Sequence, residues 1–236
     1  MPSQVFHQSF YSNALGSHKK YMIYLPPGVS QQKGGFPVLY LMSGLMDYER
    51  TWCDRGNLPQ AADYLLNQGK MGEMVVVMPD KDNAATQTDQ EMGYGYYLAF
   101  ELVDHIEKNY PVSNQPTARG IEGLSLGSFW ALNLALHTPG KYKSVGSSSG
   151  NIYPDFYEAV EQNLESLKAL KTRFRFSCGT QEEREMIESN AHFNIFLQHK
   201  GFYSEFYLEA GPHDWPLWQK DIYSSLQFHS YSFFHG

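Results

Sequence analysis

Two serines in this chain stand at the centre of a glycine–x–serine–x–glycine pattern. They are Ser125, in Gly123-Leu124-Ser125-Leu126-Gly127, and Ser148, in Gly146-Ser147-Ser148-Ser149-Gly150. Small flanking residues let a strand and a helix approach closely, so that a serine between them sits on a sharp turn with its hydroxyl exposed. Such a serine can carry an acyl group through a covalent intermediate. The surroundings separate the two copies. RGIEGL reads as a strand before Ser125, and LGSFWALNLALH as an apolar helix after it. The N-terminus of that helix would bring main-chain N–H groups and a positive dipole end to the reacting oxygen. Ser148 leads instead into Asn151-Ile152-Tyr153-Pro154, which breaks a helix rather than starting one. Ser125 is therefore the candidate nucleophile, and Ser148 reads as a small residue packed at a strand end near the site.

A serine hydroxyl needs an imidazole to take its proton and a carboxylate to orient that imidazole. Downstream of Ser148 stand His192, His199, His213, His229 and His235. His192 and His199 fall inside an expected helix, and His229 and His235 in a terminal segment where fraying is expected. His213, in Glu209-Ala210-Gly211-Pro212-His213-Asp214-Trp215, follows a strand and precedes a helix. It is the candidate base, because loops at the carboxyl ends of strands are where such sheets keep their sites. For the acid, the strand RFRFSC runs into Gly179-Thr180-Gln181-Glu182-Glu183. Thr180 and Glu183 fit a capping box for the next helix, which leaves Glu182 as the leading acid. Asp214 reads as the cap of the helix at Trp215-Pro216, and Asp155 stays open as an alternative acid. An oxyanion needs two main-chain donors. One is the N–H of Leu126, and the other comes from the loop Ser43-Gly44-Leu45, where Gly44 is expected to permit a tight turn. Aromatic residues offered for a substrate pocket are Trp52, Tyr94, Phe129 and Trp215, with Tyr96, Tyr97, Tyr153 and Phe156 behind them. Ordinary core packing explains each of these equally well.

The elements that must hold these groups alternate along the chain. Val5–Tyr11 and Lys20–Leu25 read as an antiparallel strand pair, Phe36–Met42 and Glu73–Met78 as buried strands. Strands are further expected at 119–124, 145–149, 173–178 and 202–208. Helices are expected at 58–68, 97–108, 126–137, 157–170, 181–198 and 217–228, and 81–95 reads as a loop. Apolar strands alternating with helices imply an α/β fold, a mostly parallel sheet covered on both faces. The 236 residues fit one such domain, 1–236, without repeats or low-complexity tracts.

Composition narrows the function classes. Hydrophobic residues make up 42% and charged residues 18%, an ordinary globular balance. The net charge is −7 and no Lys/Arg cluster stands out along the chain, which disfavours nucleic acid and anionic membrane surfaces as partners. Two cysteines without CxxC spacing argue against a disulfide framework or a structural zinc, and no cofactor is called for. The polar N-terminal segment lacks a signal-peptide pattern, so a cytoplasmic protein is expected, or a secreted one if a leader has been trimmed.

PVLYLMSGL, WCDRGNLPQAADYLLNQGKMGEMVVVMPD, GLSLGSFWALNLALHTPGKYKSVGSSSG, CGTQEE and GPHDWPLW, in that order from about Lys20 onward, resemble the putative esterase family. That family includes S-formylglutathione hydrolase and esterase D relatives, and tributyrin, feruloyl and enterochelin-type esterases. The resemblance implies an α/β-hydrolase fold with the order Ser125, Glu182, His213 as catalytic triad. It also implies Leu45 and Leu126 as the oxyanion N–H donors, a small-molecule ester as substrate, and no cofactor or metal. Three positions depart from the family: Ser43-Gly44 where many relatives have His-Gly, Ser128-Phe129 after the elbow instead of glycine, and Glu182 where many have Asp. The implied activity is a serine carboxylesterase acting on short-chain or aryl/sugar-linked acyl esters. An acyltransferase using the same triad, and an inactive hydrolase-fold binding protein, are the alternatives.

Overall fold

Val38–Met42 (β3) and Val75–Pro79 (β4) are buried at every position, as strands covered on both faces must be. In a computed structural model, which describes residues 2–29, 35–80 and 93–236, they lie inside an eight-stranded sheet. The other strands are Gln4–Ser12 (β1), Ser17–Leu25 (β2), Arg119–Leu124 (β5), Ser144–Ser148 (β6), Arg173–Gly179 (β7) and Tyr203–Glu209 (β8). Their order is β1-β2-β4-β3-β5-β6-β7-β8. β1 and β2 pair antiparallel, β2 runs antiparallel to β4, and all pairs from β4 to β8 are parallel. The expected mostly parallel sheet with an antiparallel opening pair is thus present. The winding reverses at β3, which has β4 on one side and β5 on the other. Such a switch point opens a crevice at the strands' carboxyl ends.

Two layers of helices cover the sheet. Leu102–Asn109 (α3, entered through the wider π-turn Tyr97–Glu101), Leu126–His137 (α4), Pro154–Gln162 (α5), Leu164–Ala169 (α6) and Arg184–His199 (α7) close one core, with Val38, Tyr40, Ile121 and Phe176 beneath them. Thr51–Asp54 (α1), Leu58–Asn67 (α2) and Trp215–Phe234 (α8) close the other, over Leu39, Leu41 and Val76. Alternation along each strand sends successive side chains to the two cores. Among the described residues, no helix is long and apolar enough to cross a membrane.

Three expected boundaries shift, each for a local reason. The helix expected over 157–170 begins at Pro154 and breaks at Asn163. The Asn163 amide donates to the carbonyls of Leu136 and Ala159, a side-chain competition that interrupts helices. The terminal helix runs on to Phe234, because Ser225, His229 and Ser232 are buried against the sheet; the fraying expected at His229 does not occur. Of the loop expected at 81–95, residues 81–92 lie outside the described residues and 93–95 are helical.

Candidate active site

The turn between β5 and α4 places Ser125 at φ 52°, ψ −118°, a conformation that non-glycine residues rarely adopt. Close packing makes the turn this sharp. A Cβ on Gly123 would collide with the Gly127 carbonyl, and one on Gly127 would strike the carbonyl of Ser43 at 2.5 Å. Both glycines of the motif are therefore required by the approach of strand to helix. The Ser125 N–H donates to the Ser148 carbonyl at 2.9 Å, which ties the elbow to the end of β6.

Three candidate residues meet at this turn from three separate loops. The Ser125 Oγ lies 3.0 Å from His213 Nε2, and His213 Nδ1 lies 2.8 Å from Glu182 Oε1. The Glu182 side chain is 1% exposed, whereas that of His213 is 39% exposed and faces the cavity. With Glu182 ionised, Nδ1 carries the proton and Nε2 is free to accept one from Ser125. Asp214 caps α8, its carboxylate accepting from Leu217 N, as the sequence implied. Asp155 sits exposed in the first turn of α5, away from this hydrogen-bonded chain.

Glu182 is gripped from several sides. Its Oε2 accepts from Gly179 N at 2.9 Å, and the Ser149 hydroxyl and the Cys178 thiol stand beside the carboxylate and interact with it. Burial alone would raise this carboxyl. The hydrogen bonds from His213, Ser149 and Gly179 outweigh burial and hold it below its ordinary value. Burial pushes the Cys178 thiol upward, and the neighbouring Glu182 pushes it further, so it stays protonated as a donor. The expected capping box is absent. α7 starts at Arg184 with Glu183 as its N-cap, and no side chain caps it. Glu182 instead uses its carboxylate on the Gly179 N–H and on His213, and Glu183 faces the cavity.

Sequence reasoning missed Ser149 and Trp218. Trp218 Nε1 donates to Ser149 Oγ at 2.9 Å, which holds the hydroxyl beside Glu182, where it favours the ionised carboxylate. The Trp218 ring stands perpendicular to the His213 imidazole, with centroids 4.9 Å apart. The signal for Ser149 lay in the second glycine–x–serine–x–glycine pattern. Its central residue, Ser148, is buried and bonded to Asp221 and Glu122, while its neighbour stands beside Glu182.

Leu45, Leu126, Phe129, Tyr153 and Met186 line a cavity of about 490 Å³ that opens onto Ser125 and His213. As the first residue of α4, Leu126 has no intrahelical acceptor for its N–H. The Leu45 N–H meets no protein acceptor among the described residues. Gly44 serves close approach rather than turning. Its φ is not positive, and a Cβ there would lie 2.8 Å from Leu124 Cδ1 and 3.4 Å from Ser125 Cβ. Of the offered aromatics, Phe129 and Tyr153 border the cavity, in edge contact at 5.5 Å. Trp52, Tyr94 and Trp215 do not. Tyr94 packs on Trp130 in one core, and Trp52 and Trp215 stack edge-on in the other, behind His213. Ordinary core packing accounts for those three.

A family model described as Putative esterase matches residues 12–229. The Bacillus subtilis protein YbbA, of uncharacterised function, is 27% identical over 217 residues, 80% of this chain and 83% of the relative. An endo-1,4-beta-xylanase/feruloyl esterase of Xylanibacter ruminicola is 26% identical over 233 residues, 93% of this chain. The alignment spans only 30% of that longer relative. Among solved structures, a ferulic acid esterase superposes with a TM-score of 0.84 at 24% identity, covering 98% of this chain and 99% of the other. The fold is that of the α/β hydrolases.

Proposed function

Because this chain belongs to the putative esterase family and is an ester-hydrolysing enzyme, we propose that it is a serine carboxylesterase with an acyl-enzyme on Ser125, taking short-chain or aryl/sugar-linked acyl esters. The observation that carries the reading is the unbroken hydrogen-bonded chain Ser125–His213–Glu182 at the mouth of the cavity. In the first step Ser125 Oγ attacks the ester carbonyl while His213 Nε2 takes its proton. The negative oxygen is held by the N–H groups of Leu126 and Leu45. His213 then gives the proton to the leaving alcohol and next draws one from water, which releases the acid. Glu182 stays ionised and stabilises the imidazolium at each stage. Phe129, Tyr153 and Met186 give the cavity apolar faces suited to an aryl or short acyl group, and the named feruloyl esterase relative favours the aryl option.

A panel of p-nitrophenyl acetate, longer p-nitrophenyl esters and methyl ferulate tests the reading. Wild type should turn over at least one class, and Ser125→Ala none at a comparable rate. Undiminished turnover by Ser125→Ala would remove Ser125 from the mechanism. Failure of a fluorophosphonate probe to label Ser125 would favour an inactive binding protein. Ester products formed from added alcohols in preference to the free acid would mark an acyltransferase.

A further inference from the structure

The amino-terminal ends of β6, β7 and β8, at the opposite edge of the sheet from Ser125, gather charge of one sign. Lys143 precedes β6, Lys168 lies on α6, Lys171 follows it and Arg173 opens β7, and all four line one pocket of about 190 Å³. Three of them, Lys168, Lys171 and Arg173, fall within six residues of one another, and the fold brings Lys143 from ahead of β6 to join them. In a protein of net charge −7, four converging cations would ordinarily be matched by carboxylates. Here none of the four forms an ion pair among the described residues. Gly236 also borders the pocket.

Lys143 is held inside the protein and Arg173 is half-buried, each with donors to spare. Lys143 is only 4% exposed, and the one partner of its ammonium among the described residues is the Leu170 carbonyl at 3.4 Å. Burial lowers the Lys143 pKa, and the neighbouring Arg173 and Lys171 lower it further. The Arg173 Nε is buried without a hydrogen-bond partner, and its guanidinium lies 3.5 Å over the Tyr203 ring. Buried charges and unpaired donors are costly unless something of opposite sign satisfies them. A monovalent carboxylate would leave most of this charge uncompensated. A phosphate oxyanion supplies about two charges and several strong acceptor oxygens.

We propose that the pocket bounded by Lys143, Lys168, Lys171 and Arg173 binds a phosphate oxyanion, either free or as the phosphoryl group of a larger ligand. Its volume corresponds to roughly six waters, which suits that group and little more. Arg173 and Tyr203 also border an adjoining groove of about 940 Å³ that displays Tyr207 and Tyr231, with room for the organic part of such a ligand.

Isothermal titration of the whole protein with inorganic phosphate, at ionic strength held constant with chloride, tests the site. Saturable binding with a Kd on the order of 1 mM or tighter is expected. Removing one unit charge at contact distance should weaken it about fivefold, so exposed Lys171→Ala reads the site without threatening the fold. Lys143→Met should abolish binding. If that variant does not fold, the Lys168→Ala/Lys171→Ala pair should weaken binding by about 25-fold instead. Hydrolysis of p-nitrophenyl acetate should be unchanged in Lys171→Ala. Phenyl phosphate binding more tightly than phosphate identifies the phosphoryl group of a larger ligand, and equal affinities identify the free ion. No saturable binding below about 10 mM, or equal affinity in wild type and in the lysine variants, overturns the proposal.

Discussion

Ser125, His213 and Glu182 are one serine–histidine–glutamate chain in this molecule; Ser144, His229 and Glu122 are another. In the second, Ser144 Oγ lies 2.7 Å from His229 Nδ1, and His229 Nε2 lies 2.7 Å from Glu122 Oε2. Judged by hydrogen bonds alone it is the tighter of the two. Yet Ser144 and His229 are 0% exposed and Glu122 is 1% exposed. The imidazole is reversed end for end relative to His213, and Ser144 sits within the β6 ladder with no positive φ. Among the described residues, Ser144, His229 and Glu122 do not line the cavity that opens onto Ser125. Glu122 is within 3.7 Å of the Arg175 guanidinium, which is paired with Asp221. Ser148 and Ser177 complete the cluster, and through His229 and Asp221 it fastens α8 to β5, β6 and β7. The comparison separates two uses of the same three residue types. A strained, accessible serine beside unclaimed N–H groups is arranged for chemistry, and a sealed set with every member in place is arranged for holding the helix to the sheet.

The largest expected effect breaks the symmetry outright. Ser125→Ala should lower kcat/KM for p-nitrophenyl acetate by on the order of 10³ or more, whereas Ser144→Ala should leave it within about twofold for folded protein. A large kinetic loss in Ser144→Ala at unchanged fold would mean that the sealed constellation also supports turnover. Next in size, Glu182→Gln should cost roughly 10² to 10⁴ in kcat, because the amide cannot fix the imidazole tautomer or stabilise its cation. The Ser125→Ala/Glu182→Gln double variant should be no slower than Ser125→Ala alone, since groups acting as one unit lose their function together. Additive losses would show that Glu182 works outside the triad.

On the sealed side the expected loss is in stability. His229→Ala removes a partner of buried Glu122 and a tie from α8, and should cost about 3–5 kcal/mol in urea unfolding. Its turnover per folded molecule should be near that of wild type. A His229→Ala protein as stable as wild type would refute a fastening role for the cluster.

These two regions were unequally legible in the sequence. That Ser125 and His213 meet is legible because elbow and loop signals are local: a strand before, a helix after, glycine and proline at the turns. The mostly parallel sheet with its antiparallel opening pair is legible for the same reason, from the alternation of buried strands and helices, whereas the strand order is not. His229 was misread as lying in a fraying tail, since its partners Glu122 and Ser144 stand 107 and 85 residues away in the chain. In the sequence Glu182 stands out partly because Thr180 and Glu183 suggest a capping box, which the structure does not form. What selects it is the N–H of Gly179 three residues earlier and the arrival of His213 from another loop. Trp52 and Trp215 looked like pocket walls because aromatic residues near a motif can face either way. Only the pairing of the two helical layers sends them inward.

The smallest expected effect sharpens the boundary between the two uses, because Ser149 belongs to both. It is a buried residue at the end of β6, yet its hydroxyl reaches the ionised Glu182. If it positions the triad acid, Ser149→Ala should lower kcat about tenfold with KM unchanged, the signature of an interaction that matters in the transition state. A stability measurement separates this from mere packing. Glu182 is held below its ordinary value in the folded protein, so what the Ser149 hydrogen bond contributes is present above the unfolded carboxylate value of about 4.3 and is lost as pH falls through the lower folded one. The stability deficit of Ser149→Ala at neutral pH should therefore shrink in acid, whereas a deficit from lost packing would persist. Trp218→Phe keeps a ring against His213 but removes the indole donor to Ser149, and it should fall between wild type and Ser149→Ala in kcat. A Ser149→Ala enzyme with wild-type kcat, or one whose deficit does not change with pH, would return Ser149 to the structural side of the comparison.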